Sequence, residues 1–559
     1  MKKFLFSILA IILVINFSLA QELFTPKIYK KGVVVSAHPE ASKVGLAILK
    51  KGGNAVDAAV AVQFTLAVVY PNAGNIGGGG FMVYRDFKGN ANTLDFREKA
   101  SINASRDMYL DHDGNPIKEK STIGHLASGV PGTVDGMVKA HQKYGQLSWE
   151  KVVQPAIELA KNGFAITANQ ARELNSIKQL LEKHNPNGTS LIKTTVWIVG
   201  DLLIQPELAH TLELIKEKGR AGFYEGEVAE YIVKEMNRGI GIINLKDLES
   251  YQSVWRAPIT GKYKEYNIIT MPPPSSGGIA LMQLLNAVAP YPIAKWGQNQ
   301  DSTIRLIVEA ERRVYADRSE YLGDPDFYKV PQKALLDFNY QQKRMESMNW
   351  EKATLSAAVS PGKLMKESEE TTHFSIVDKK GNAVAVTTTL NGSYGSLVVV
   401  KGAGFLLNNE MDDFSVKEGS PNMYGVTGGA ANAIEPGKRM LSSMTPTIVE
   451  RNKKLFMVVG TPGGSTIITA VFQTILNVIE FGQDMQTAVN AKRFHHQWLP
   501  DVIYTETDVF DLETQKKLVQ KGYKLMPRGS IGRVDAILKT KKGYQGGADK
   551  RGDDVVAGY

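Results

Sequence analysis

Residues 370–391 read ETTHFSIVDKKGNAVAVTTTLN. Thr, Phe, Ile and Val crowd both halves of this stretch, and Lys380-Gly381 lies between them. That pattern predicts two strands joined by a glycine-permitted turn. Residues 447–460 repeat the plan: TIVE, a charged turn, then LFMVVG. A Gly-rich turn, Thr461-Pro462-Gly463-Gly464, then leads into an apolar helix from Ser465 to Glu480. Strand pairs followed by helices predict an α+β fold, with sheets that carry helices on their outer faces. No unit of 20–50 residues recurs, so a solenoid is excluded.

The rest of the chain agrees with a large globular protein. It has 559 residues, 43% hydrophobic and 22% charged, enough for a sizeable core. There is no Cys, which excludes disulfides, thiolate metal sites, a cysteine nucleophile and a lipid on cysteine. The net charge of +9 comes without a basic cluster interleaved with aromatics, so nucleic acid is not an expected partner. Residues 1–20, MKKFLFSILAIILVINFSLA, give two lysines, a short apolar run ended by Asn16, and small residues before Gln21. This reads as a cleaved export signal rather than a membrane anchor, because a span needs about 20 apolar residues. The expected location is the bacterial periplasm or beyond it, with no stable membrane anchor.

Upstream, residues 40–70 predict two helices split by Lys51-Gly52-Gly53-Asn54. Asn54 is placed to cap the second, with Asp57 three positions on. That helix is Ala- and Val-rich on most faces and reads as buried. GNIGGGGF at 74–81 follows. Four consecutive glycines are costly inside a helix or strand and point to close backbone approach. A hairpin is expected after them, turning at Lys88-Gly89-Asn90, with Arg97 near a strand end. Met271 to Gly278 reads as a loop ahead of a helix from Ile279, and residues 355–370 as a linker.

Several groups could carry chemistry, each beside a plainer explanation. The turn at Gly463 and Gly464 precedes a helix and could offer backbone N–H groups to a developing negative charge, or be a simple tight turn. It is not a phosphate loop, since no Gly-Lys-Ser/Thr follows. Glu410 and Asp413 are three apart and could converge on an ammonium, or form a solvated acidic turn. Arg97 could grip a carboxylate with two prongs, or make a surface ion pair. His495-His496 fits packing better than metal ligation. Asp111-His112-Asp113 sits at a turn. No cofactor and no metal is expected.

The motifs taken together resemble one family. ETTHFS at 370–375, GGNAVDAAVA at 52–61, GNIGGGGF at 74–81, DFRE at 95–98, PPPSSGG at 272–278, NNEMDDFS at 408–415, LSSMTPT at 441–447 and GTPGGS at 460–465 follow the order found in gamma-glutamyltranspeptidases (glutathione hydrolases). These belong to the N-terminal-nucleophile hydrolases. The resemblance covers essentially the whole mature chain. It implies a four-layer αββα fold and a precursor that cleaves itself into residues 21–370 and 371–559, two subunits that stay associated. It implies Thr371 as the nucleophile and Thr389 as its hydrogen-bonding neighbour. Arg97, with Ser442 and Ser443, corresponds to the binders of the glutamyl carboxylate. Asn391, Glu410 and Asp413 correspond to the ammonium binders, Gly463 and Gly464 to the oxyanion hole, and Tyr424 to the tyrosine of a lid loop. The implied substrates are glutathione, glutamine and other gamma-glutamyl compounds, with water, amino acids or dipeptides as acceptors.

Elementary chemistry is consistent with that assignment. A threonine hydroxyl needs an adjacent base. Cleavage before Thr371 would free an α-amine with an unperturbed pKa of about 7.7–8.0, suited to that task. Inside an uncut chain, Thr371 would be an ordinary strand threonine. Two other readings share part of the pattern: a glutaryl or cephalosporin acylase, whose substrate lacks the ammonium, and a periplasmic binding protein without turnover.

Overall fold

The computed structural model describes residues 26–360, 372–417, 423 and 430–559. The leader, most of the 355–370 linker, Thr371 and Tyr424 lie outside the described residues. Asn54 caps the helix Ala55–Val69: its side chain accepts from the Val56 and Asp57 N–H groups, and the Asp57 carboxylate accepts from the Asn54 N–H. All of Ala55–Val69 is buried, as expected of a helix that is apolar all round. It packs between the helices Pro39–Lys50 and Trp149–Asn162 and the face of a sheet.

That first sheet has seven antiparallel strands in the order Val555–Gly558, Val33–Ser36, Thr372–Val377, Ala383–Thr389, Gly79–Arg85, Ala91–Asp95 and Val254–Arg256. The hairpin read from the opening segment is therefore at its centre, turning at Gly381 with φ +91°. Its register runs from Thr372 opposite Thr388 to Val377 opposite Ala383. The second sheet, also antiparallel, has the order Ile28–Tyr29, Gly543–Gly547, Asp535–Thr540, Lys454–Gly460, Thr447–Arg451, Tyr266–Thr270 and Ile259–Tyr263.

Side-chain alternation divides the core into layers. Phe374, Ile376, Val384 and Val386 face the Ala55–Val69 helix side. Val377, Ala383 and Ala385 face the second sheet, where they meet Met457, Val459 and Ile537. The helices Gly277–Val288, Asp301–Tyr321 and Ser465–Ile479 cover the far side of the second sheet. The result is the expected α+β, four-layer αββα arrangement. Both faces of each sheet are covered, so their strands read as nearly continuous apolar runs.

The structure revises two local expectations. Gly79 and Gly80 are not merely a loop: they open the strand Gly79–Arg85. Close approach was the correct reason for them. A Cβ at Gly78 would collide with the Thr389 carbonyl oxygen, and one at Gly80 with that of Thr387. The helix expected from Ile279 begins at Gly277, because Ser276 takes the position before it. We expect Gly78→Ala to destabilise the fold by about 1–3 kcal/mol, the usual penalty of overpacking. Gly529→Ala, where an added Cβ meets nothing, should stay within about 0.5 kcal/mol of the parent. Denaturant midpoints at equal slope would compare the two.

Candidate active site

The site grows from the open end of the central hairpin. Thr389 closes the strand Ala383–Thr389, opposite Gly79. Its carbonyl accepts from Asn75 Nδ2 at 2.8 Å, which fixes the backbone as the chain leaves the sheet. Asn391 takes a left-handed conformation, φ +70°, one that asparagine tolerates better than most residues. This folds its N–H back onto Thr389 Oγ1 at 2.7 Å, while its Nδ2 donates to the Asn409 carbonyl at 3.0 Å. The Thr389 hydroxyl also meets the Glu410 carboxylate.

Glu410–Asp413 is one 3₁₀ turn. Residues three apart eclipse in that geometry, so the Glu410 and Asp413 side chains fall on one side. Both reach Arg97: Glu410 Oε2 is 2.6 Å from Nη1, and Asp413 Oδ2 accepts directly from Nη2. Arg97 is held from behind by the carbonyls of Met440 and Leu441, at 3.3 and 3.0 Å. All three side chains are buried, so neither a surface ion pair nor a solvated acidic turn describes them. Burial disfavours the Arg97 cation, and the carboxylates of Glu410, Asp413 and Glu98 more than reverse that, holding its pKa above the ordinary value. Burial pushes the Glu410 carboxyl well above the usual range, with Arg97 opposing.

Ser442 and Ser443 follow directly on the carbonyls that hold Arg97. The Ser442 carbonyl accepts from the N–H and hydroxyl of Ser276, at 2.6 and 2.8 Å. Ser443 Oγ accepts from Arg318 Nη2 at 2.8 Å. The PPPSSGG loop thus sets the height of both serines.

The oxyanion candidates stand at another strand end. Lys454–Gly460 runs into Thr461-Pro462-Gly463-Gly464 and then the helix Ser465–Ile479. Gly463 and Gly464 have φ of +128° and +59°, a region that favours glycine. Among the described residues, neither N–H is hydrogen-bonded to an acceptor. Two N–H groups at the start of a long helix are a ready-made site for negative charge. His373 lies beneath: its ring nitrogens are 2.9 and 3.0 Å from Thr387 Oγ1 and Ser375 Oγ. Burial lowers its pKa to about 3, so it is neutral and engaged rather than a base.

The structure brings together Thr389, Asn391, Glu410, Asp413 and Arg97, with Ser442 and Ser443 adjoining. It also adds residues the sequence did not single out. Glu98 is buried beside Arg97, 3.5 Å from Nη1, with its carboxyl pushed by burial up to about 8; its place in DFRE was the available signal. Asn432 ties the loops together, donating to the Asp413 carbonyl at 2.6 Å and accepting from the Leu441 N–H at 3.0 Å. Nothing in its spacing announced that. Arg318, buried in a charged helix, carried no signal either. His495 and His496 lie elsewhere and serve packing: His495 hydrogen-bonds Ser465 and Thr469, and the His496 N–H donates to Glu311. Asp111 caps its own turn through the Asp113 and Asn115 N–H groups. Among the described residues, no group of three or more His, Cys, Asp or Glu is arranged to hold a metal.

Comparison with known proteins agrees with this geometry. Residues 41–559 match the gamma-glutamyltranspeptidase family. A glutathione hydrolase proenzyme of Escherichia coli K12 is 47% identical over 550 residues, spanning 98% of this chain and 95% of its own length. Among solved structures, a cephalosporin acylase from Bacillus halodurans superposes with a TM-score of 0.84 at 25% identity, covering 96% of this chain and 98% of its own. A chain of Helicobacter pylori gamma-glutamyltranspeptidase is 43% identical, with a TM-score of 0.58, covering 61% of this chain and 97% of its own. A match this long, with the motif residues gathered at one site, means that the chain belongs to the gamma-glutamyltranspeptidase family.

Proposed function

We propose that this chain is an exported, self-processing gamma-glutamyl hydrolase and transpeptidase, with glutathione and glutamine among its donors. The observation that carries the substrate class is the buried contact of Arg97 with Glu410 and Asp413. The guanidinium and the acids face one another directly. The α-carbon end of a free glutamyl group brings one carboxylate and one ammonium, so it can exchange with that contact without leaving a buried charge unpaired. The carboxylate goes to Arg97, helped by Ser442 and Ser443. The ammonium goes to Glu410, Asp413 and Asn391. A ligand held by that end presents its γ-carbonyl in one orientation. A glutaryl group has no ammonium and would leave both acids uncompensated, which disfavours the acylase reading.

Thr371 immediately precedes Thr372, which pairs with Thr388. Thr372 thus opens its strand at the end of the hairpin where Thr389 closes the partner strand. Cleavage before Thr371 frees its amine, which takes the hydroxyl proton as oxygen attacks the γ-carbonyl. His373 is neutral, and both its nitrogens are engaged, so it does not compete with the amine for that role. The Gly463 and Gly464 N–H groups meet the charge that builds on the carbonyl oxygen. The leaving amine takes a proton, and water or an amino-acid amine then releases the glutamyl group from threonine. A cavity of about 770 Å³ opens beside Asn409, walled by Ile117, Ile123, Leu180, Gly392 and Met423, and gives room for an acceptor. Both sheets mix strands from before and after residue 370. Cutting there would leave 21–370 and 371–559 joined by whole ladders of hydrogen bonds.

Intact mass analysis of mature protein should find two chains, the smaller beginning at Thr371. Thr371→Ala should remain one inactive chain; an active, cleaved Thr371→Ala protein overturns the mechanism. Arg97→Ala should lower kcat/KM on a gamma-glutamyl anilide by at least about thirtyfold, equivalent to about 2 kcal/mol, the scale of a hydrogen bond to a charged group. Unchanged kinetics would remove Arg97 from the site. Glu410→Ala should narrow the preference for glutamyl over glutaryl anilides, measured as the ratio of their kcat/KM values.

A further inference from the structure

Behind the oxyanion turn lie two buried acids that the reaction above does not use. Asp535 is the first residue of its strand and pairs with Gly460, immediately before the turn. Both its carboxyl oxygens are buried, without a hydrogen-bond donor. The Asp535 carboxyl instead meets the carboxyl of Asp554. Asp554 belongs to the segment leading into the edge strand Val555–Gly558 and has a side chain only 1% exposed. Two carboxylates in such contact cannot both be ionised without severe repulsion, and a proton between them removes it.

The surrounding charges allow one proton. Arg533 Nε lies 3.1 and 2.9 Å from the two Asp554 oxygens, so Asp554 has its cation. Arg533 Nη1 also donates to the Tyr70 hydroxyl at 2.8 Å. Asp549, the next acid, is already held by Arg493, Arg551 and the Val534 N–H. Glu173, Asp553, His38 and Tyr394 are further titratable groups that face Arg533 or its partners. Among the described residues Asp535 makes no ion pair, and the Arg533 charge that opposes its protonation also acts on Asp554. Burial raises its carboxyl well above the usual range, and Asp554 adds to that.

The same segment touches the catalytic turn. The Arg533 N–H donates to Thr461 Oγ1 at 2.6 Å. Gly532 lies against Gly463, where an added Cβ would come within 3.1 Å of the Gly532 Cα. The Asp535 carbonyl accepts from Ser375 Oγ, which in turn meets His373.

We propose that Asp535 keeps its proton at neutral pH and donates it to Asp554, and that this buried hydrogen bond, with Arg533, positions the Gly463-Gly464 turn. Both aspartates are then positioning residues, acting through a backbone that they do not share with the substrate. The kinetic part rests on the proposed role of Gly463 and Gly464; the proton itself does not.

Two measurements separate these parts. Near pH 8 ordinary carboxyls are ionised while the buried Glu98 and Glu410 can still absorb as acids, so the readout is the infrared difference between processed parent and Asp535→Asn, which should contain one protonated-carboxyl band present only in the parent. A spectrum unchanged by Asp535→Asn overturns the proposal, whatever the enzyme's chemistry. In kinetics, asparagine reproduces a protonated aspartate, so Asp535→Asn should keep kcat within about threefold, whereas Asp535→Ala should lose about thirtyfold or more with KM little changed, as when an oxyanion donor is displaced. Equal losses in the two variants overturn the positioning role. If Asp535→Ala gives no folded protein, Asp535→Asn decides, and a loss of more than about tenfold in its kcat overturns the proposal.

Discussion

Gly78 and Gly80 let one backbone lie directly on another, and the site is measured from that contact. A side chain at either position would meet the carbonyl of Thr389 or Thr387. With hydrogen there, the strand Gly79–Arg85 closes on Ala383–Thr389 up to the last residue. Thr389 then has a fixed place at the sheet end, and the left-handed step at Asn391 turns the chain toward Asn409 and the acidic 3₁₀ turn. Loosen the glycine contact and Thr389, Asn391 and Glu410 lose their common reference.

The second determinant is electrostatic. Arg97 is fully buried with two carboxylates against it and a third nearby. Such a cluster is costly to desolvate, and removing a partner costs more than replacing the whole. Its presence in a core with ample apolar material argues for recognition rather than stability. The raised carboxyls of Glu98 and Glu410 are the corresponding cost: one guanidinium serves several buried acids, and burial favours the protonated forms of these two. The backbone carbonyls of Met440 and Leu441, and the bridging amide of Asn432, keep that arrangement from collapsing in the meantime.

Much of this was legible in the residues. Alternation and turn glycines gave the central hairpin, and the Asn54–Asp57 spacing gave the helix start. The run of glycines announced close approach, though not that two of them would lie within a strand, because strand pairing compensates a conformational cost that local sequence cannot weigh. The acids and Arg97 were visible as types and became a site only through resemblance, since residues 97 and 410 have no local relation. Asn432, Arg318 and the Asp535–Asp554 contact were not legible. Arg318 acts on Ser443, 125 positions away, while Asn432 and Asp535 act on partners nearer in sequence that no helical or strand periodicity links to them, and an isolated Asn or Asp carries no spacing that would betray this.

The edge strand Val555–Gly558 pairs with Val33–Ser36, so one side of the first sheet joins segments far apart in sequence. Val33–Ser36 leaves the ribosome long before its outer partner does. Until then one side of that strand is an open hydrogen-bonding edge, available for mispairing. Contacts of such sequence separation also make closure slow. Completion of this sheet therefore waits on synthesis of everything between Val33–Ser36 and its outer partner, so the strand that is made first is the one that stays half-paired longest.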